Sequence, residues 1–174
     1  MTDGSSSDAN IRLPANASNV INSATTINSL YIYDNAAPGT IIVGSGTITV
    51  QSGAVYIRAN NGGASIDANL NFGAVQGVIG YTKGKASELN GAIAGSGGLV
   101  FYQPAVEADQ WSGGTGITAS NNTCTFTGNT IVHGKLAVRD KVLPSGARTG
   151  DLYANGVVLL LGSITINGLN GYGH

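Results

Sequence analysis

The feature that most constrains this chain is the shortness of its apolar runs. Most last only a few residues before a Gly, Asn or Pro corner breaks them. Thr47-Ile48-Thr49-Val50 shows the unit: Ile and Val point one way, the threonines the other, and Gly44-Ser45-Gly46 and Ser52-Gly53 flank it. Period-two alternation over four residues, rich in β-branched side chains, predicts a strand with one buried face. Apolar residues at i, i+3, i+4 and i+7 are not sustained for three turns anywhere, so almost no helix is expected.

The spacing of these units narrows the architecture. Thr40, Thr47 and Ala54 each open a strand, seven residues apart, which suits three sides of one triangular coil. Ile21 to Ile41 is 20 residues, Ile27 to Ile48 is 21, and Ile32 to Val55 is 23. Towards the C-terminus, Val138 to Leu159 and Leu143 to Ile164 are 21 each. A strand therefore meets its equivalent after about 20–25 residues, and its inward side chains stack about 4.8 Å above their counterparts. The fold expected is an all-β parallel β-helix, a β-solenoid. Residues 1–16 form a polar lead-in or N-terminal cap, and residues 17–174 form the solenoid. An antiparallel sandwich also has many short strands, but it calls for two-residue hairpins. Here the Gly clusters are longer. Pro104 to Gly116 interrupts the pattern with a loop carrying Glu107, Asp109 and Trp111.

Composition excludes several functions. Hydrophobic residues make up 42% of the 174 and charged residues only 10%, the opposite of a disordered chain. Net charge is −1 and the few Lys and Arg are scattered, so nucleic acid is not an expected partner. No run of about 18 apolar residues is present to span a bilayer as a helix, so this segment is not expected to insert in a membrane.

The residues offer no catalytic arrangement. The closest acids, Glu107 and Asp109, share one loop, whereas glycoside hydrolysis needs carboxylates facing each other across a groove. Asp34, Asp67, Glu88, Asp140 and Asp151 are spread along the chain. His133 and His174 are the only histidines, too few for a zinc site of the usual kind. Cys124 sits in a Thr-Cys-Thr-Phe alternation and reads as a small core residue. No enzyme activity, cofactor or metal is expected.

One binding feature stands out. In Leu30-Tyr31-Ile32-Tyr33 and Val55-Tyr56-Ile57-Arg58, aliphatics alternate with Tyr31, Tyr33, Tyr56 and Arg58. With the aliphatics inward, these four point outward about one coil apart, as an exposed aromatic strip suited to a glycan or a host-surface protein. Trp111 in the projecting loop is a further candidate contact. The alternative is a ladder of tyrosines that only stabilises the surface.

Gly95-Ser96-Gly97-Gly98-Leu99, then Asn122 to Thr130, then Gly134-Lys135-Leu136 resemble the autotransporter-associated β-strand repeat. Leu143-Pro144-Ser145-Gly146 and Ile164 to Leu169 resemble its second half. The resemblance covers about residues 89–171, with departures at Cys124, Phe126 and the Pro104–Gly116 insert. It implies a right-handed parallel β-helix displayed at a bacterial surface or secreted, a non-catalytic stalk or adhesin scaffold. The chain ends mid-pattern without a capping helix, so self-association through open coil ends, up to a stacked fibre, is also expected.

Overall fold

The computed structural model describes residues 8–14, 18–34, 40–59, 63–82, 87–104, 117–121, 123–139 and 142–172. Among these residues there are nineteen strands and no helix. The first four coils have three strands each. They are β1 (Asn10–Leu13), β2 (Ser18–Val20) and β3 (Thr25–Ile27); β4 (Ser29–Asp34), β5 (Thr40–Val43) and β6 (Thr47–Val50); β7 (Ala54–Ala59), β8 (Ala64–Ile66) and β9 (Asn69–Asn71); and β10 (Gly77–Tyr81), β11 (Ser87–Leu89) and β12 (Ile93–Ala94). Later coils keep two strands: β13 (Leu99–Tyr102) with β14 (Ile117–Ala119), β15 (Thr130–His133) with β16 (Lys135–Arg139), and β17 (Leu152–Ala154) with β18 (Val157–Leu161). The last strand is β19 (Leu169–Asn170).

Every ladder is parallel, and consecutive strands never pair. Sheet A stacks β1-β4-β7-β10-β13-β15-β17-β19, sheet B stacks the seven strands from β2 to β18, and sheet C stacks β3-β6-β9-β12. The chain is thus a β-solenoid of triangular section. Thr40, Thr47 and Ala54 open β5, β6 and β7 on three different sheets, as the seven-residue spacing predicts.

The core is a set of stacked rows. On sheet A, Leu30, Val55, Ile79, Phe101, Val132 and Ala154 follow one another inward, at steps of 25, 24, 22, 31 and 22 residues. All six are buried. Each fully buried aliphatic contributes on the order of 1.5–3 kcal/mol relative to exposure, and it does so only because a neighbouring coil covers it. The step of 31 is the coil holding the Pro104–Gly116 insert. The ladder resumes in register beyond it.

Several expected registers are corrected. Ile27 lies opposite Val50, not Ile48, and Ile32 opposite Ile57, not Val55. Each slip is two residues, so the buried face is unchanged. Ile41 differs in kind: it lies opposite Ser18 and is 38% exposed, while Ile42 fills the core. Val138 likewise meets Leu160 and not Leu159. The corner after β5 explains why the chain can stack this closely. Gly44 has φ +114°, and a Cβ there would lie 2.1 Å from the Ile21 carbonyl oxygen one coil away. Only glycine fits that approach.

Sheet C ends at β12. Beyond it the third side is held without a regular ladder: Thr125 N–H donates to the Ile93 carbonyl at 2.9 Å and Thr127 N–H to the Gly95 carbonyl at 2.9 Å. Arg148 closes the same side, donating to the carbonyls of Cys124 (2.9 Å), Val142 (3.3 Å) and Leu143 (2.5 Å).

Candidate ligand-binding face

Alternation along sheet A sends Arg12, Tyr31, Tyr56, Gly80, Tyr102 and His133 into one outward row. Tyr33 and Arg58 pair in the next row along β4 and β7. The candidates Tyr31, Tyr33, Tyr56 and Arg58 are therefore brought together on one face. The Tyr31 and Tyr56 rings are 5.8 Å apart between centroids and tilted by 42°, and Tyr31 and Tyr33 are 6.3 Å apart. Tilted rings at this range are a favourable arrangement of their quadrupoles. The Arg58 guanidinium carbon lies 5.1 Å from the Tyr33 ring centre. Arg12, opposite Tyr31 on β1, lies 5.4 Å from the Tyr33 ring centre and 5.9 Å from that of Tyr31. Both guanidinium groups fall within cation–π range.

Gly80 shapes the floor of this face. It is buried although it points outward, and a Cβ added there would lie 2.6 Å from Cδ2 of Tyr56. The Tyr56 ring therefore leans over the Gly80 backbone. On the far side Tyr102 stands 48% exposed. Beside this row runs an aliphatic one: Val78, Val100 and Ile131, ending in Tyr153.

The outward rows of this face are cationic where they are described. The described outward positions of β1, β4, β7, β10, β13 and β15 carry Arg12, Arg58 and His133 and no carboxylate. Asp8 precedes β1 and Asp151 precedes β17, while Asp67 and Glu88 belong to the sheet B side, where Asp67 is tied into a polar ladder. Ser65 Oγ donates to Asp67 Oδ1 at 2.6 Å, Asn90 Nδ2 to the same oxygen at 2.9 Å, and Ser120 Oγ to Asn90 Oδ1 at 2.8 Å.

Cys124 is buried, with the Ile93 N–H donating to its Sγ at 3.3 Å. Burial pushes its thiol above the usual range, opposite to what a nucleophile needs. His133 is exposed on the outward row, away from this core thiol. Trp111, Glu107 and Asp109 lie outside the described residues, as do Asp140 and His174. No cluster of three or more metal-ligating side chains occurs among the described residues.

The C-terminal end of the stack has a different character. Leu152, Val158, Leu160, Ile166 and Leu169 line an apolar cavity of about 370 Å³. Leu160 is 48% and Leu169 66% exposed, although both continue inward rows. At the other end Leu13, Ile21 and Ile27 are all buried.

Arg12, Tyr102 and His133 had a legible signal: each alternates with buried aliphatics or aromatics, as in Ile11-Arg12-Leu13 and Leu99-Val100-Phe101-Tyr102. What hid their alignment was the uneven number of residues per coil. Comparison of the chain with family models, with curated proteins and with solved structures finds no match.

Proposed function

We propose that this chain is a non-catalytic scaffold segment of a secreted or surface-displayed bacterial protein, a stalk that presents its faces to other molecules. The observation that carries this reading is the unbroken stack of inward rows on sheet A, whose register survives a 31-residue coil. Such a body holds outward side chains at fixed spacing and tolerates an insertion at a corner, which is what a display scaffold needs. The resemblance to the autotransporter-associated repeat supports the same reading. Its glycine-rich piece falls on the corner leading into β13, and its Gly-Lys-Leu piece on the entry to β16. Immunogold labelling of intact source cells with antibodies against the chain tests the proposal. Label on the outer surface is expected, and label confined to the cytoplasm overturns it.

A second reading is self-association, favoured by the exposure of Leu160 and Leu169 on the apolar side of β18 and β19. Because Leu13, Ile21 and Ile27 in the first coil are already covered, two copies would join through the exposed Leu160 and Leu169 faces, giving pairs and not a fibre. Sedimentation across a concentration series separates the outcomes: a dimer supports this reading, while a monomer throughout, or open-ended growth, overturns it.

A further inference from the structure

We propose that the first three strands of sheet A form a binding site for acidic glycans, sugars bearing carboxylate or sulfate groups. It deepens the adhesive side of the scaffold reading, yet it concerns binding alone and does not depend on where the chain resides.

The argument begins with ring geometry. Tyr31 and Tyr56 present neighbouring rings across adjacent strands, 5.8 Å apart, and Tyr31 and Tyr33 along β4, 6.3 Å apart. That stride is comparable to one pyranose unit, whose C–H-rich faces pack on aromatic rings. Tyr56 is 36% exposed, and Tyr31 and Tyr33 are half-buried, so the rings are partly held by their neighbours and partly open. Holding them in place beforehand lowers the ordering cost of binding.

The charges then select the sugar. Arg12 and Arg58 flank the rings and are exposed. Among the described residues both are partnered by tyrosine rings and neither by a carboxylate. A guanidinium set against a ring keeps planar N–H donors that match a carboxylate or sulfate in bidentate fashion. Asp67 and Glu88 are on the sheet B side, Asp8 precedes β1 and Asp151 precedes β17, and the described outward side chains of β1, β4 and β7 include no carboxylate that would compete for the two cations or repel an anion. A neutral glycan would use the rings alone. A protein partner would call for a larger apolar patch with a polar rim; on β1, β4 and β7 two cations stand among three rings, and the exposed Val78 and Tyr102 lie beyond them on β10 and β13.

The test uses the full chain with three probes: a heparin-derived tetrasaccharide, tetragalacturonate and neutral cellotetraose. Calorimetry and amide chemical shifts read binding. Either acidic probe should bind, shifting amides of β4 and β7, and should weaken several-fold between low and high salt. The double variant R12Q/R58Q should weaken it at least tenfold, Y31A/Y56A should do likewise, and R139Q, an exposed cation on sheet B, should leave it unchanged. Unchanged thermal melting verifies that each variant is folded. Failure of both acidic probes to bind, equal binding of cellotetraose, or equal losses with R139Q overturns the proposal. So does a folded R12Q/R58Q that binds as the parent does.

Discussion

Thr130 is poorly served by its surroundings. It is fully buried between Leu99 and Leu152 on an inward row of sheet A, and its hydroxyl has no protein partner among the described residues. An enclosed hydroxyl without a hydrogen bond costs about 1–3 kcal/mol. Thr130→Val keeps the shape and removes that cost, so the thermal midpoint should rise, by an amount equivalent to about 1 kcal/mol. Tyr81 is the opposite case, buried but satisfied: its hydroxyl donates to the Lys135 carbonyl at 2.7 Å. Burial holds its phenol far above the ordinary range. The unfolded phenol ionises near pH 10, so above that pH the unfolded chain loses a proton that the folded chain keeps. Stability from this residue is therefore complete below about pH 10 and falls as pH rises further, by up to about 1.4 kcal/mol per unit. Urea unfolding of the parent and of Tyr81→Phe should show the variant about 1 kcal/mol weaker at pH 8. The gap should shrink or reverse at pH 11. A constant gap would mean that Tyr81 does not set the alkaline slope. Which of two adjacent apolar residues faces inward was not legible from such local chemistry. Val20-Ile21 and Ile41-Ile42 read alike in sequence, yet Val20 and Ile41 point outward, a choice of phase that two adjacent apolar residues leave open.

At the scale of elements, strand type and alternation were plain from Thr47 to Val50 and from Leu30 to Tyr33. The tyrosine strip followed from them directly. Stacking partners were less legible. A four-residue strand fits its neighbour almost equally well two residues away, so alternation alone matches Ile27 with Ile48 as readily as with Val50, which it meets. Corner geometry makes that choice. The side beyond β12 shows what replaces a ladder when strand pairing stops. Arg148 spans one coil to the next with donors to three backbone carbonyls. Arg148→Ala leaves those acceptors unpaired in a part-buried place and should cost about 2–3 kcal/mol. Hydrogen exchange should speed up at Thr125 and Thr127 before it does at β13 or β15. Exchange that rises evenly over all strands would show that the arginine is no local fastener.

For the molecule as a whole, nearest-neighbour stacking sets where stability resides. Central coils are covered on both sides, whereas the coil of β18 and β19 leaves Leu160 and Leu169 in contact with water. Amide protection should therefore be greatest from β7 to β13 and fall towards β19. Leu160→Asp should lower any self-association while changing protection in β7 and β10 little. Loss of protection throughout would mean that the stack unfolds as one body. The solenoid plan itself was legible, because seven-residue offsets and returns of 20–25 residues admit few other folds. The exposure of Leu160 and Leu169 was not legible, because both continue apolar runs like those of the buried rows.

The connection from sheet A to sheet B ranges from the single Gly134, between β15 and β16, to the fourteen positions separating Tyr102 from Ile117. None of this variation reaches the outward row, where Tyr56, Gly80, Tyr102 and His133 follow at one strand spacing each. The molecule is in effect a ruler graduated in strands. Distances along its face are counted in rungs of about 4.8 Å, whatever length of chain is spent between two marks. A corner can therefore be lengthened or replaced wholesale while every mark on the ruler keeps its place.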